Sequence, residues 1–214
     1  MKYVNEFLKR FSDRVVFTAT DARVFLTSLG ASGNYTNVFL TNLVKSKRAK
    51  RLKKGVYSFR DDPTLASFAF TPSYHGLQDA LSIHGLWEQE TIPVIITPKR
   101  VRQGVRTMLG GKVLVRRIAR KMFFGFESVK YRDCWINVSD VEKTLVDLAY
   151  FKQPVSAEVA REARKRVDER KMREYLEKTP RNVKNRVLKL LKLKPTAASR
   201  QETRSQKSIS IYTS

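Results

Sequence analysis

The stretch TDARVFLTSLGASGNYTNVFLTNLVKSKRAKRLKKGVYSFR, residues 20–60, decides how this chain is read. Thr20 to Leu29 carries apolar residues at helical spacing; Thr20 or Asp21 is the expected cap, and Val24, Phe25 and Leu29 the expected core face. Gly30-Ala31-Ser32-Gly33 breaks the pattern. Asn34 to Arg48 resumes it, with Val38, Phe39, Leu43 and Val44 expected on one side. Arg51 to Phe59 then alternates like two short strands around a turn. Helix, glycine turn, helix and basic hairpin follow the order of a winged helix-turn-helix. Such a unit puts its second helix in a DNA major groove and lays its hairpin on the neighbouring backbone.

The candidate contact residues follow from that order. Asn34, Tyr35, Thr36 and Asn37 open the second helix, the end that faces base edges in such complexes. Asparagine bonds adenine bidentately, and Thr and Tyr meet phosphate or a thymine methyl. Asn34 has a second reading as a plain helix cap. Lys45, Lys47, Arg48, Lys50, Arg51, Lys53 and Lys54 form a basic string through the helix end and hairpin. Complementing the helix dipole accounts for Lys47 and Arg48 but not for the hairpin charges, which suit phosphate.

Outward from this stretch, the charge balance agrees. Among 214 residues, 43 Lys and Arg stand against 20 Asp and Glu, a net +23 that points to a polyanionic partner. The charge has two foci: residues 1–60 hold 13 bases against three acids, and residues 156–194 hold 14 against six. The middle is more balanced. Cys134 is the single cysteine, which excludes an internal disulfide and a cysteine-rich zinc site and fits a reducing, cytoplasmic setting. No apolar run reaches the ~18 to 20 residues of a membrane span, so no membrane partner is expected. Residues 1–6 lack the apolar core of a signal peptide.

The remaining pattern predicts an α+β chain: an N-terminal winged helix-turn-helix, a mixed α/β domain and basic C-terminal helices. A first helix is expected over Tyr3 to Phe11, and a winged unit over 1–61, closed by Asp62-Pro63 as cap and first helical residue of the next element. A mixed domain is expected over 62–154. It would contain a helix over Tyr74 to His84, a buried strand Pro93 to Thr97, strands over Lys112 to Arg120, Phe123 to Tyr131 and Cys134 to Val138, and a helix capped by Ser139 with Glu142 as capping-box acid. Residues 155–194 read as basic helices broken at Thr179-Pro180, either a further polyanion surface or solvated faces with internal ion pairs, and 195–214 as a flexible tail.

Catalytic, cofactor and metal sites are not expected. His75 and His84 lie nine apart with no cysteine near. Asp140, Glu142 and Asp147 are the carboxylates a magnesium-dependent nuclease would have to use, but they come from one element, and Asp147 is expected to be solvated or arginine-paired. An RNA- or ribosome-associated basic protein is the other alternative, without the aromatic signature of the common single-strand binders.

Four pieces in order carry a family resemblance: Arg51-Leu52-Lys53-Lys54-Gly55-Val56-Tyr57, Ser73 to Leu86, Phe123-Phe124-Gly125-Phe126-Glu127, and Val141 to Leu148. Across Thr20 to Pro154 the chain resembles the AbiEi-type antitoxins of abortive-infection (type IV) toxin–antitoxin systems, regulators of antiviral defence. The resemblance implies a transcriptional repressor that binds inverted repeats in its operator as two protomers. It also implies that the protein opposes a toxin resembling a nucleotidyltransferase.

Overall fold

The computed structural model describes residues 2–191, so the expected tail at 195–214 lies outside the described residues. The chain is mixed α+β. It divides into two compact units, one up to Asp140 and one from Val141 onward. This division falls at neither 61/62 nor 154/155.

In the first unit, α1 (Val4–Phe11), β1 (Phe17–Thr18), α2 (Ala19–Ser28), α3 (Tyr35–Lys45), β2 (Lys50–Lys53) and β3 (Val56–Ser58) follow in that order. The strands form a sheet in the order β1-β3-β2, antiparallel throughout. Helix α2 starts two to three residues earlier than expected because Thr18 is the cap. The Asp21 N–H donates to the Thr18 hydroxyl at 3.0 Å, and the Thr18 N–H donates back to the Asp21 carboxylate at 2.8 Å. The helix ends in a Schellman turn: Ala31 N–H donates to Leu26 O and Gly30 N–H to Thr27 O, with Gly30 at φ 86°. That left-handed position is the physical reason for glycine in the helix–helix turn.

Aromatic packing holds these elements together. Phe7 stacks on Phe11 at 4.5 Å and meets Phe39 edge-on at 4.9 Å and Phe17 at 5.4 Å. Ala22, Leu26, Leu40 and Leu43 complete this cluster. Three expected core residues, Val24, Leu29 and Val38, are not in it, and Leu29 is half-buried. Val24 is 65% exposed and Val38 57% exposed, while Ala22 and Thr36 are buried. Phe39 and Leu43 lie in the cluster and Phe25 and Val44 pack against it, as expected, so helical spacing identified the helices and part of their inner faces.

A six-stranded sheet follows, in the order β6-β7-β5-β4-β9-β8. Its strands are β4 (Tyr74–His75), β5 (Val94–Thr97), β6 (Gly104–Met108), β7 (Gly111–Arg117), β8 (Phe126–Tyr131) and β9 (Cys134–Ser139). The helix expected over Tyr74 to His84 is split. Tyr74 and His75 are strand, paired with Ile96 and Ile95 of β5, and only Leu77–Ile83 forms a helix, α5. Pairing with two buried strands overrides local helical spacing. Strand β6 carries no clear apolar alternation and was not expected.

The β6–β7 turn shows why Gly110-Gly111 is needed. A Cβ on Gly111 would lie 2.4 Å from Pro63, and one on Gly110 would lie 2.6 Å from the Asp61 carboxylate. Backbone therefore packs directly on the Asp61–Pro63 segment. That segment leads into a 3-10 turn, Pro63–Ala66, and α4 (Ser67–Phe70). Asp62 caps the 3-10 turn through Thr64 N–H at 3.0 Å. A second hydrophobic cluster forms here from Leu65, Phe70, Ile95, Leu109, Val113, Val115 and Ile136, and it includes Leu52 of the β2–β3 hairpin.

The second unit is helical: α6 (Val141–Tyr150), α7 (Ala157–Arg166), α8 (Glu169–Glu177) and α9 (Arg181–Leu191), with α8 and α9 packed on α6. Ser156 caps α7 and Asp168 caps α8, a break the sequence did not reveal. Ser139 ends β9, two residues before α6 begins, and its hydroxyl donates to His75 O at 3.3 Å. Glu142 does not serve as the expected capping-box acid. Its carboxylate accepts from Asp168 N–H at 2.8 Å and pairs with Lys171 at 3.4 Å, tying α6 to α8. No described helix is long and apolar enough to cross a membrane.

Candidate nucleic-acid interface

Helix α3 presents a continuous outward stripe. Asn34, Asn37, Val38, Thr41 and Lys45 are exposed at spacings of three and four, and therefore share a face. The stripe mixes two amides, a hydroxyl, a cation and an exposed branched methyl group. These are the groups that meet base edges and thymine methyls in a major groove. Val38 was missed at the sequence level because an apolar residue at helical spacing reads as core, and Thr41 lies one turn beyond the helix start from which contact residues were taken. The Thr41 hydroxyl donates to Asn37 O at 2.7 Å, as threonines on helix surfaces do, and retains acceptor capacity.

The four expected reading residues separate. Asn34 and Asn37 are exposed, and the Asn34 side chain makes no capping bond. Tyr35 is half-buried; its hydroxyl donates to Lys2 O at 2.9 Å and its ring meets Tyr3 edge-on, which ties the chain's start to α3. Thr36 corrects the expectation. It is 4% exposed and its hydroxyl has no hydrogen-bond partner, so it faces the core and leaves the candidate surface.

The basic string is arranged around the helix end and hairpin. Lys45, Lys47, Arg48, Arg51, Lys53 and Lys54 are exposed, and among the described residues none of them is ion-paired. Lys50 is half-buried and reaches Asp61 at 3.4 Å. Lys47 occupies a left-handed position, φ 57°, at the end of α3. Leu52 between these cations is buried, which anchors the hairpin so that Arg51 and Lys53 point outward on a fixed support. Beside the hairpin lies a cleft of about 480 Å³, with Lys47, Lys50, Arg51, Lys53 and Arg106 at its rim and Phe70 and Leu109 among its apolar lining. Arg106 lies over the Phe70 ring at 5.4 Å. The Lys53 ammonium is held below its ordinary pKa, first by partial desolvation and then by the nearby charge of Lys99.

Carboxylates and histidines are otherwise engaged. Asp147 is not solvated: it is fully buried and accepts from the equally buried Lys143 ammonium one turn away. His75 is buried and bonds Asp79 through Nδ1 at 2.7 Å, and Asp79 also accepts from Val94 N–H at 2.9 Å. His84 Nε2 meets Ser139 O at 2.7 Å. Among the described residues no group of three or more His, Cys, Asp or Glu is placed to hold a metal. Cys134 is buried, and burial is the main cause that pushes its thiol up.

The second unit treats its charge differently. Glu162 pairs with Lys165 at 2.9 Å, Arg170 with Glu174 at 3.4 Å, and Arg173 with Glu169 at 3.3 Å. Much of the basic charge on α7 and α8 is thus neutralised within its own surface.

No family model matches the chain, and no curated protein matches it. Among solved structures, the crystal structure of the RV2827C protein from Mycobacterium tuberculosis is similar. The TM-score is 0.62 over 88% of this chain and 75% of that one, at 16% sequence identity. At that identity the likeness concerns the fold alone.

Proposed function

We propose that this chain is a non-catalytic, sequence-specific binder of double-stranded DNA that reads its site through an N-terminal winged helix-turn-helix. Helix α3 enters the major groove, where Asn37, Val38 and Thr41 meet base edges while Asn34 and Lys45 flank them. Lys47, Arg48, Arg51, Lys53 and Lys54 grip the phosphates on either side. The observation that carries this reading is the exposed, hydrogen-bond-competent stripe on α3 flanked by cations without ion-pair partners. Unpaired cations cost little on a solvated surface and gain affinity by releasing counterions when phosphate arrives.

Within this reading the protein is a cytoplasmic transcriptional repressor. It binds inverted repeats as two protomers and acts as the antitoxin of an abortive-infection system. The family resemblance along Thr20 to Pro154 supports that part. A mobility-shift titration on the DNA upstream of its own coding region, against a scrambled duplex of equal length, tests the DNA reading. Equal affinity for both at moderate salt would overturn sequence-specific repression. Co-expression with the product of a neighbouring nucleotidyltransferase-like gene tests the antitoxin role: unrelieved growth arrest would sink it.

A further inference from the structure

The balanced charge of the middle of the chain conceals a segregated one. Residues 91–126 contain nine Lys and Arg and no Asp or Glu. The nine lie between Lys99 and Lys121, on the β5–β6 connection, the β6–β7 hairpin and the turn after it. Among the described residues none of them is salt-bridged. That contrasts with the self-paired charges of α7 and α8. Nine like charges within 23 residues repel one another, and an arrangement without counter-charges is stabilised when an external polyanion supplies them.

Their placement indicates which polyanion. Strand β6 is an edge of the six-stranded sheet, and its Arg106 lines the same cleft as Arg51 and Lys53 of the hairpin. Lys53 is close enough to Lys99 to feel its charge. Arg106 is held over Phe70 and donates to the carbonyl of Arg102, which braces the approach to β6. The end of α3, the hairpin and the sheet edge thus place Lys47, Lys50, Arg51, Lys53 and Arg106 around one cleft, with Arg102 beside Arg106 and Lys99 near Lys53.

We propose that the sheet-edge cations Lys99, Arg100, Arg102 and Arg106 form a second phosphate grip. It holds the duplex DNA backbone that flanks the site read by α3. The proposal rests on the DNA reading above but uses a separate surface, one that carries no base-reading residue. Its contribution is independent of sequence and is read in the salt dependence of binding. Each phosphate contact adds about 0.9 to the slope of log affinity against log salt.

The test compares the full chain with a Lys99→Ala/Arg100→Ala/Arg102→Ala variant on a random-sequence duplex of about 30 base pairs, three helical turns. All three side chains are exposed, and an unchanged thermal melt verifies the fold. The expected result is a slope shallower by about 2 to 3, restored by a Lys99→Arg/Arg100→Lys/Arg102→Lys variant that keeps the charges. An unchanged slope overturns the proposal. So does a loss of slope seen only on an RNA duplex of equal length, which would assign the surface to RNA. Failure of the base-reading helix appears elsewhere, as loss of preference for the upstream duplex over the scrambled one with the sheet-edge slope intact.

Discussion

The Arg48 backbone N–H donates to the Leu43 carbonyl at 3.0 Å, so the chain leaves α3 through a left-handed residue, and that residue is Lys47. Lys47 N–H donates to Val44 O in the same turn, completing the arrangement that α2 makes with Gly30. A lysine where glycine is favoured is a conformational cost accepted at the rim of the basic cleft.

Lys47→Gly is therefore expected to stabilise the fold by roughly 0.5–1 kcal/mol, because glycine adopts φ 57° without steric penalty. The same change should weaken DNA binding at low salt. Thermal denaturation alongside a binding titration checks both. A destabilised Lys47→Gly protein would show that the side chain packs more than it costs.

Asn37 and Thr36 are neighbours with opposite expected behaviour. Asn37→Ala should reduce discrimination between cognate and scrambled duplex by about 1–3 kcal/mol, the worth of a bidentate base contact. Thr36→Val removes a buried hydroxyl that has no partner and should leave the protein as stable or about 1 kcal/mol more so, with DNA recognition unchanged. Loss of recognition in Thr36→Val would place the reading face on the wrong side of α3.

Asp21 titrates below the ordinary carboxylate range, chiefly because the Thr18 backbone N–H bonds its charged form and secondly because the Thr18 hydroxyl does. With the folded value depressed, this stabilisation is fully present above the unfolded carboxylate value, about 3.9. It is lost as pH falls through the lower folded value. Asp21→Asn should flatten that acid limb of the stability profile, measured by melting temperature between pH 2 and pH 6. Thr18→Ala should cost about 1 kcal/mol at neutral pH through loss of the cap.

The Lys143–Asp147 pair is wholly buried, so removing one member takes a counter-charge away from a desolvated ion. Asp147→Ala is expected to destabilise by about 3–5 kcal/mol, and a Lys143→Met/Asp147→Leu double change by much less. Denaturant titrations with and without magnesium should superimpose. A magnesium-dependent shift would return these carboxylates to consideration as a metal site.

The sequence by itself determined the succession of elements in residues 20–60. Gly30 marks a left-handed helix end, and Lys54-Gly55 sits between two short alternating strands. Both signals are local and depend on backbone sterics within a few residues. Buried strand β5 was legible for the same reason, from its run of branched residues. The tertiary structure decided what local pattern cannot carry. It turned Val38 and Val24 outward and Thr36 and Ala22 inward, since a helix's inner face depends on which neighbours close over it. It made Tyr74 and His75 a strand, because β5 and β9 supply partners some 20 and 60 residues away. Above all, it sorted the basic residues. Whether a lysine is paired, as Lys165 is with Glu162, or stands unneutralised, as Lys99 does near Lys53, depends on distances through space. Net charge along the chain is blind to those distances.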